Sequence, residues 1–257
     1  MEEYFRRAGA HLQKGEYDKA IAGFTRAIEL NPNFVAAYAL RAAAYREKGE
    51  YGSAIRDCNK AIKLAPNLTQ AYAMRGLAYA GKGEYDRAIA DYTKAIKLDP
   101  HHASSPYALR GFAHHQKGEY DRAIADCNRA IKLDPNNFEA YLNRGAAYAL
   151  KGKYSETISD CTRAIKLVPN YALAYTQRGG AYGARKEYDK AIADCTRAIK
   201  LNPNLATAYF NRAVAYREKG EYDRAIADFE KCVKLSPDPS LTQHAREALR
   251  EVKKLRR

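Results

Sequence analysis

The phrase Lys14-Gly15-Glu16-Tyr17-Asp18-Lys19-Ala20-Ile21 decides the fold, because it keeps coming back. It returns as Lys48-Gly49-Glu50-Tyr51, Lys82-Gly83-Glu84-Tyr85, Lys117-Gly118-Glu119-Tyr120 and Lys219-Gly220-Glu221-Tyr222, with looser copies around Tyr154 and Tyr188. The period is 34 residues, broken once by an extra residue near Ser104-Ser105-Pro106. Prolines keep the same beat at Pro32, Pro66, Pro100, Pro135, Pro169, Pro203 and Pro237. A fixed period of this length is the signature of a repeat array.

Each unit reads as two helices. An Ala- and Tyr-rich segment such as Ala36 to Lys48 meets a Gly turn, and a second segment such as Tyr51 to Leu64 is closed by Pro66. Glycine supplies the positive φ that ends a helix, and proline cannot continue one. Tyr38, Arg41, Ala42 and Tyr45 share one helical face, as do Tyr51, Ala54, Ile55, Cys58 and Ile62. Those two faces are expected to cover each other. One such hairpin buries too little to stand alone, so the repeats must stack.

The pattern of small residue, aromatic, Gly, Tyr, Ala, Ala and Pro resembles the tetratricopeptide repeat family. Repeat two carries it as Tyr38, Ala42, Tyr45, Gly49, Tyr51, Ala54, Ala61 and Pro66. The resemblance runs from Met1 to about Pro237. It implies an all-α fold: a right-handed superhelical solenoid of antiparallel helix pairs, with seven repeats at about 1–34, 35–68, 69–103, 104–137, 138–171, 172–205 and 206–239. Lys186 replaces a turn glycine, Thr157 and Cys232 replace alanines, and His11 and His114 replace aromatics. Residues 240–257 place Leu241, Ala245, Ala248, Leu249 and Val252 at helical spacing, which predicts a C-terminal capping helix ending in a basic tail that includes Arg257. Proline suits only a first helical turn, so Ser104-Ser105-Pro106 is where the array is expected to bend or fray.

Arginine stands where the family often has leucine, at Arg7, Arg41, Arg75, Arg110, Arg144, Arg178 and Arg212. A half-buried charge needs a partner. Sixteen residues later come Asp57, Asp91, Asp126, Asp160, Asp194 and Asp228, so six ion pairs within repeats are predicted. Repeat one has Gly23 there instead and leaves Arg7 as the exception.

The chain has 257 residues, 46% hydrophobic and 29% charged, which excludes a disordered chain. Met1 to Arg7 holds no secretory-type run, and no long apolar stretch predicts a membrane span, so a cytoplasmic protein is expected. Cys58, Cys127, Cys161 and Cys195 recur at one repeat position, with Cys232 three places later. Equivalent places in stacked repeats lie beyond disulfide reach, so these read as buried thiols. No phosphate loop, nucleophile elbow or zinc-type cysteine spacing is present. His101, His102, His114 and His115 cluster in sequence, but His114 falls on a core position. No catalysis, metal, cofactor or small-molecule substrate is expected.

Net charge is +14. Lys60, Lys63, Lys94, Lys97, Arg129, Lys132, Arg163, Lys166, Arg197 and Lys200 lie opposite the packed stripe of the second helices, near ends where cations complement the helix dipole. Stacked, they would form a basic outer ridge. The inner face of the first helices is the other surface, and in related proteins it lines a concave groove. Carried over, it comprises Ala39, Ala43 and Arg46; Ala73, Leu77 and Ala80; Ala108, Phe112 and His115; Leu142, Ala146, Ala149 and Leu150; Thr176, Gly180 and Gly183; Phe210, Val214 and Arg217.

Family members that clamp a chaperone's C-terminal carboxylate place lysine and asparagine on that face. Small and apolar residues here favour an amphipathic helix or extended apolar peptide with acidic edges. Asn143 and Asn211 are candidates to bond its backbone. The expected function is a non-enzymatic scaffold holding a protein or peptide in the groove. The alternative is a nucleic-acid or anionic-surface binder using the ridge. Self-association, with one copy's terminal helix in another's groove, is also open.

Overall fold

The computed structural model describes residues 1–256, and Arg257 lies outside them. Fifteen helices and no strand occur among the described residues, arranged as two compact units. The first unit, Met1–Pro135, holds four hairpins. They are α1 (Glu2–Gln13) with α2 (Tyr17–Leu30), α3 (Val35–Glu47) with α4 (Tyr51–Leu64), α5 (Thr69–Gly81) with α6 (Tyr85–Leu98), and α7 (Ser104–Gln116) with α8 (Tyr120–Leu133).

The second unit begins at Asn136 and holds three hairpins and a last helix. They are α9 (Phe138–Leu150) with α10 (Tyr154–Leu167), α11 (Ala172–Ala184) with α12 (Tyr188–Leu201), α13 (Ala206–Glu218) with α14 (Tyr222–Leu235), and then α15 (Pro239–Leu255).

The recurring Lys-Gly-Glu-Tyr phrase is the hairpin turn. In the second hairpin Gly49 takes φ +76°, its N–H donates to the Arg46 carbonyl at 2.9 Å, and the Glu50 N–H donates to the Tyr45 carbonyl at 2.8 Å. That pair of bonds closes α3 and starts α4 one residue later. Lys186 makes the equivalent bonds, to Gly183 at 2.9 Å and from Glu187 to Tyr182 at 2.9 Å, but with a side chain at φ +62°. The left-handed region costs an L-residue roughly 1–2 kcal/mol, partly offset by the chain entropy that glycine loses. Lys186→Gly is therefore expected to stabilise the protein by about 0.5–1 kcal/mol, read as a higher urea midpoint at unchanged slope.

Inside each hairpin a small residue on the first helix faces a larger one on the second. Gly76 faces Tyr92, Gly111 faces Cys127, and Gly179 faces Cys195. A Cβ added at Gly76 would lie 2.6 Å from the Tyr92 ring, which is itself fully buried. Repeat two carries Ala42 and Cys58 at the matching places, both fully buried. Gly76→Ala should cost about 1–3 kcal/mol by overpacking, and much less in a Tyr92→Cys background. A thermal double-mutant cycle that shows simple additivity would refute this coupling.

All five cysteines are buried thiols, and burial pushes those of Cys58, Cys161 and Cys195 up to about 12. They are packing residues and poor nucleophiles. The expected fraying at Ser104-Ser105-Pro106 is not what the structure has. α7 begins at Ser104, Pro106 is buried in its first turn, and the Ser104 hydroxyl donates to the Ala130 carbonyl of α8 at 3.1 Å. A first-turn residue has no intrahelical acceptor for its N–H, so proline loses nothing there.

α15 closes the second unit. Ala245, Ala248 and Val252 are buried against Tyr209, Phe229 and Cys232, with Leu241 and Leu249 packed at the margin. The Asp238 side chain caps its N-terminus by accepting from the Ser240 N–H at 2.9 Å, and Pro239 occupies the first turn.

Candidate peptide-binding face

In the first unit the first helices of successive hairpins touch one another, α1 on α3, α3 on α5 and α5 on α7, whereas no two second helices do. The second unit repeats this with α9 on α11, α11 on α13 and α13 on α15. Helices that touch on one side and stand apart on the other make the first-helix side the inner one in each unit. The placement follows from the sequence, because the alanine- and glycine-rich first helices allow the closest approach.

An arginine lattice fixes these helices. Arg41 donates from Nε to Asp57 Oδ2 at 2.7 Å and from Nη2 to Oδ1 at 2.8 Å. The same fork joins Arg75 to Asp91, Arg110 to Asp126, Arg144 to Asp160, Arg178 to Asp194 and Arg212 to Asp228, at 2.6 to 2.9 Å. All six aspartates are buried. The remaining nitrogen reaches backwards to the preceding hairpin: Arg41 Nη1 to Thr25 at 2.8 Å, Arg75 to Asn59 at 2.6 Å, Arg110 to Thr93 at 2.9 Å, Arg178 to Thr162 and Arg212 to Thr196 at 3.0 Å.

The tyrosine three residues before each paired arginine lies against its guanidinium, and a second tyrosine four residues after it does so for Arg41, Arg144, Arg178 and Arg212, as Tyr38 and Tyr45 do for Arg41 at 5.7 and 5.9 Å. Arg41, Arg75, Arg110, Arg178 and Arg212 thus each hold their own repeat together and tie it to the one before. Sequence reasoning overlooked the backward bonds, although the 34-residue recurrence of Thr or Asn at 25, 59, 93, 162 and 196 carries the signal. Arg7, with no aspartate opposite, is exposed and pairs with Glu3 at 3.7 Å.

Not every residue assigned to the inner face is open on it. In the first unit Ala39, Ala43, Arg46, Ala73, Leu77 and His115 are half-buried and Phe112 is 37% exposed, but Ala108 is buried. Arg46 reaches Glu47, while its Nε is buried without a hydrogen-bond partner. A shallow depression of about 240 Å³ opens there, lined by Arg46, Glu47, Tyr51, Leu77 and Gly81. His115 lies 5.7 Å from the Tyr120 ring, and burial lowers its basicity.

In the second unit Leu150 is 59% exposed and Ala146 half-buried, but two assignments need correction. Leu142 is only 9% exposed and packs with Phe138, Tyr141, Ile165 and Tyr171. Thr176 is buried, its hydroxyl turned back to the Ala172 carbonyl at 3.1 Å. Both stand where the next first helix comes into contact. Phe210 and Val214 pack into the cluster that includes α15, and Arg217 Nη1 lies 3.7 Å from Glu251. The amide of Asn211 donates to the Thr176 carbonyl at 3.2 Å, as Gln177 does to Leu142 at 3.2 Å, so both tie first helices together.

Leu173 is 48% exposed and was missed. Its equivalents are Ala36, Gln70, Ser105, Glu139 and Thr207, so a lone large apolar side chain at that place was the available clue.

The histidines separate. His114 is buried with Nδ1 2.6 Å from Glu119, and His102 is exposed with Nδ1 3.0 Å from Asp99. Lys117 and His114 hold the Glu119 carboxyl down at about 2. Among the described residues no three His, Cys, Asp or Glu side chains are placed to hold a metal, and no helix is long and apolar enough to cross a membrane.

Comparison with known proteins agrees with this architecture. The tetratricopeptide repeat model matches residues 2–34, 35–68, 69–102 and 138–171, a second tetratricopeptide repeat model matches 178–252, and a TPR repeat model matches 111–152. No curated protein sequence gives a significant match. A chain of the APC/C hetero-tetramer Cut9–Hcn1 superposes with a TM-score of 0.85 at 22% identity, over 98% of this chain. This chain spans about half of that one, 49%. A tetratricopeptide repeat protein from Parabacteroides merdae matches over 98% of both chains, with TM-score 0.74 and 20% identity. MamA is 31% identical over 65% of this chain and 90% of its own, with TM-score 0.55. Repeats of this kind typically form non-catalytic scaffolds for protein–protein contacts. The motif period, the seven tandem helix pairs and these matches place the chain in the tetratricopeptide repeat family.

Proposed function

We propose that the protein is a non-enzymatic scaffold that receives an apolar peptide segment with acidic flanks on the inner face of its first helices. The observation that carries this reading is that Phe112 in the first unit and Leu150 and Leu173 in the second stay exposed on interior first helices, whereas the other exposed large apolar side chains, Met1, Tyr4, Leu30 and Leu255, belong to the first hairpin and to α15. The first-unit face is lined by alanines that let a ligand backbone come close, and Arg46 lies on it with an unpartnered Nε. A carboxylate on the ligand would satisfy that nitrogen. The chain's +14 charge favours the same acidic edges.

Leu142→Glu would be a poor probe, since Leu142 is core. Phe112→Glu and, separately, Leu150→Glu alter exposed positions. Peptides selected from a random library on the wild-type chain should share apolar residues at helical or alternate spacing beside Asp or Glu. They should lose at least about tenfold in affinity on one of these variants, the cost of placing a charge against a buried anchor. Selected peptides that bind both variants as well as wild type would place recognition elsewhere.

A further inference from the structure

Around α4, α6 and α8 most of the acids gather in two places. Asp57, Asp91 and Asp126 are buried in the arginine forks. Asp18, Glu50, Glu84, Asp86 and Glu119 gather at the hairpin turns, where Lys48 meets Asp18 at 2.6 Å, Lys82 meets Glu84, and Lys117 meets Asp86 at 2.6 Å. The C-terminal halves of α4, α6 and α8 receive none. Lys60 and Lys63, Lys94 and Lys97, and Arg129 and Lys132 stand there as pairs three residues apart, and none has a carboxylate partner among the described residues. Five of the six side chains are exposed and Lys60 is half-buried. The one organised contact is Lys94 Nζ, 6.0 Å from the Tyr72 ring. Asp99, the acid just beyond α6, is engaged by His102.

We propose that this strip binds the phosphate backbone of a single-stranded nucleic acid. The inference is independent of the inner-face reading, because these cations lie on the second helices. α4, α6 and α8 do not touch one another, so successive pairs stand more than a helix diameter apart, at least about 10 Å. A single small anion cannot bridge that gap. A polymer with a charge on every monomer can. The outer side of the unit is the side on which helices diverge, so a rigid flat lipid surface meets fewer of the pairs at once than a flexible chain does. Neighbouring tyrosines such as Tyr72 have arginine or lysine against the ring, Arg75 at 5.5 Å, and are not free to stack on bases. Recognition is therefore electrostatic and independent of sequence.

The test is fluorescence anisotropy of the full chain with labelled oligo(dT) and with a mixed-sequence RNA of the same length, from about 50 to 300 mM salt. Six phosphate contacts predict a slope of log K against log salt near −4 for a single strand, at about −0.7 per contact. Lys63→Gln with Lys97→Gln and Lys132→Gln should weaken binding by about tenfold or more and flatten the slope by about 2. The control removes the same net charge at the turns, as Lys48→Gln with Lys82→Gln and Lys117→Gln, and should bind within about twofold of wild type. Equal losses in both triple variants would reduce the effect to net charge and overturn the proposal. So would binding to phosphatidylserine-containing vesicles with none to oligo(dT), which would assign the strip to a lipid surface. Loss of oligo(dT) binding in the strip variant with peptide binding intact would separate this site from the inner face.

Discussion

Asp91→Ala is expected to destabilise the protein by about 3 kcal/mol, the lower end of what removing one partner of a buried ion pair costs. The carboxylate is 8% exposed and its arginine 21%, so the substitution leaves the Arg75 guanidinium half-buried with only Asn59 at 2.6 Å and the Tyr72 ring as company. The Asp91 hydrogen bonds raise the basicity of Arg75 despite its burial, but the balance is not the same in every fork. Burial raises the Asp160 carboxyl above its usual range although Arg144 lowers it, so desolvation is the larger effect there. A carboxyl raised in the folded state is favoured by protonation, so its ionised form detracts from stability at neutral pH. Replacing both partners with apolar residues, Arg75→Leu with Asp91→Ala, should therefore recover most of the loss. Urea denaturation of wild type, single and double variants checks this. A single-variant cost below about 1 kcal/mol would mean the pair behaves as a solvated surface contact.

Truncation after Ser236 is expected to have the larger effect, on the order of 5 kcal/mol in the second unit, with concentration-dependent association. Without α15, Phe229 and Cys232, both fully buried, lose the cover of Ala245, Ala248 and Val252. Each half-to-fully buried aliphatic contact of this kind contributes about 1–3 kcal/mol. An uncovered end also offers the stacking surface that one repeat offers the next, so light scattering should rise with protein concentration. A truncated chain that stays monomeric with an unchanged denaturation midpoint would show that α15 is dispensable. The same cover explains why Phe210 and Val214 are poor groove candidates.

The sequence by itself determined the hairpins, their turns and the closing helix, because a 34-residue beat of Gly, Tyr, Ala and Pro acts through local conformation: positive φ, helix stops and a 3.6-residue apolar stripe. It also determined which charges meet, since Arg and Asp sixteen residues apart must face each other once the hairpin closes. Lateral packing between repeats was decided only in the tertiary structure. Whether a first-helix residue is open or covered depends on how near the next first helix comes, and that distance is set by side chains 34 residues away. Hence Leu142 and Thr176 are buried, Asn211 and Gln177 bond a neighbouring helix, and Leu173 emerges. The backward reach of Arg41, Arg75, Arg110, Arg178 and Arg212 to Thr or Asn on the preceding hairpin belongs to the same class, a contact that exists only after two repeats have stacked.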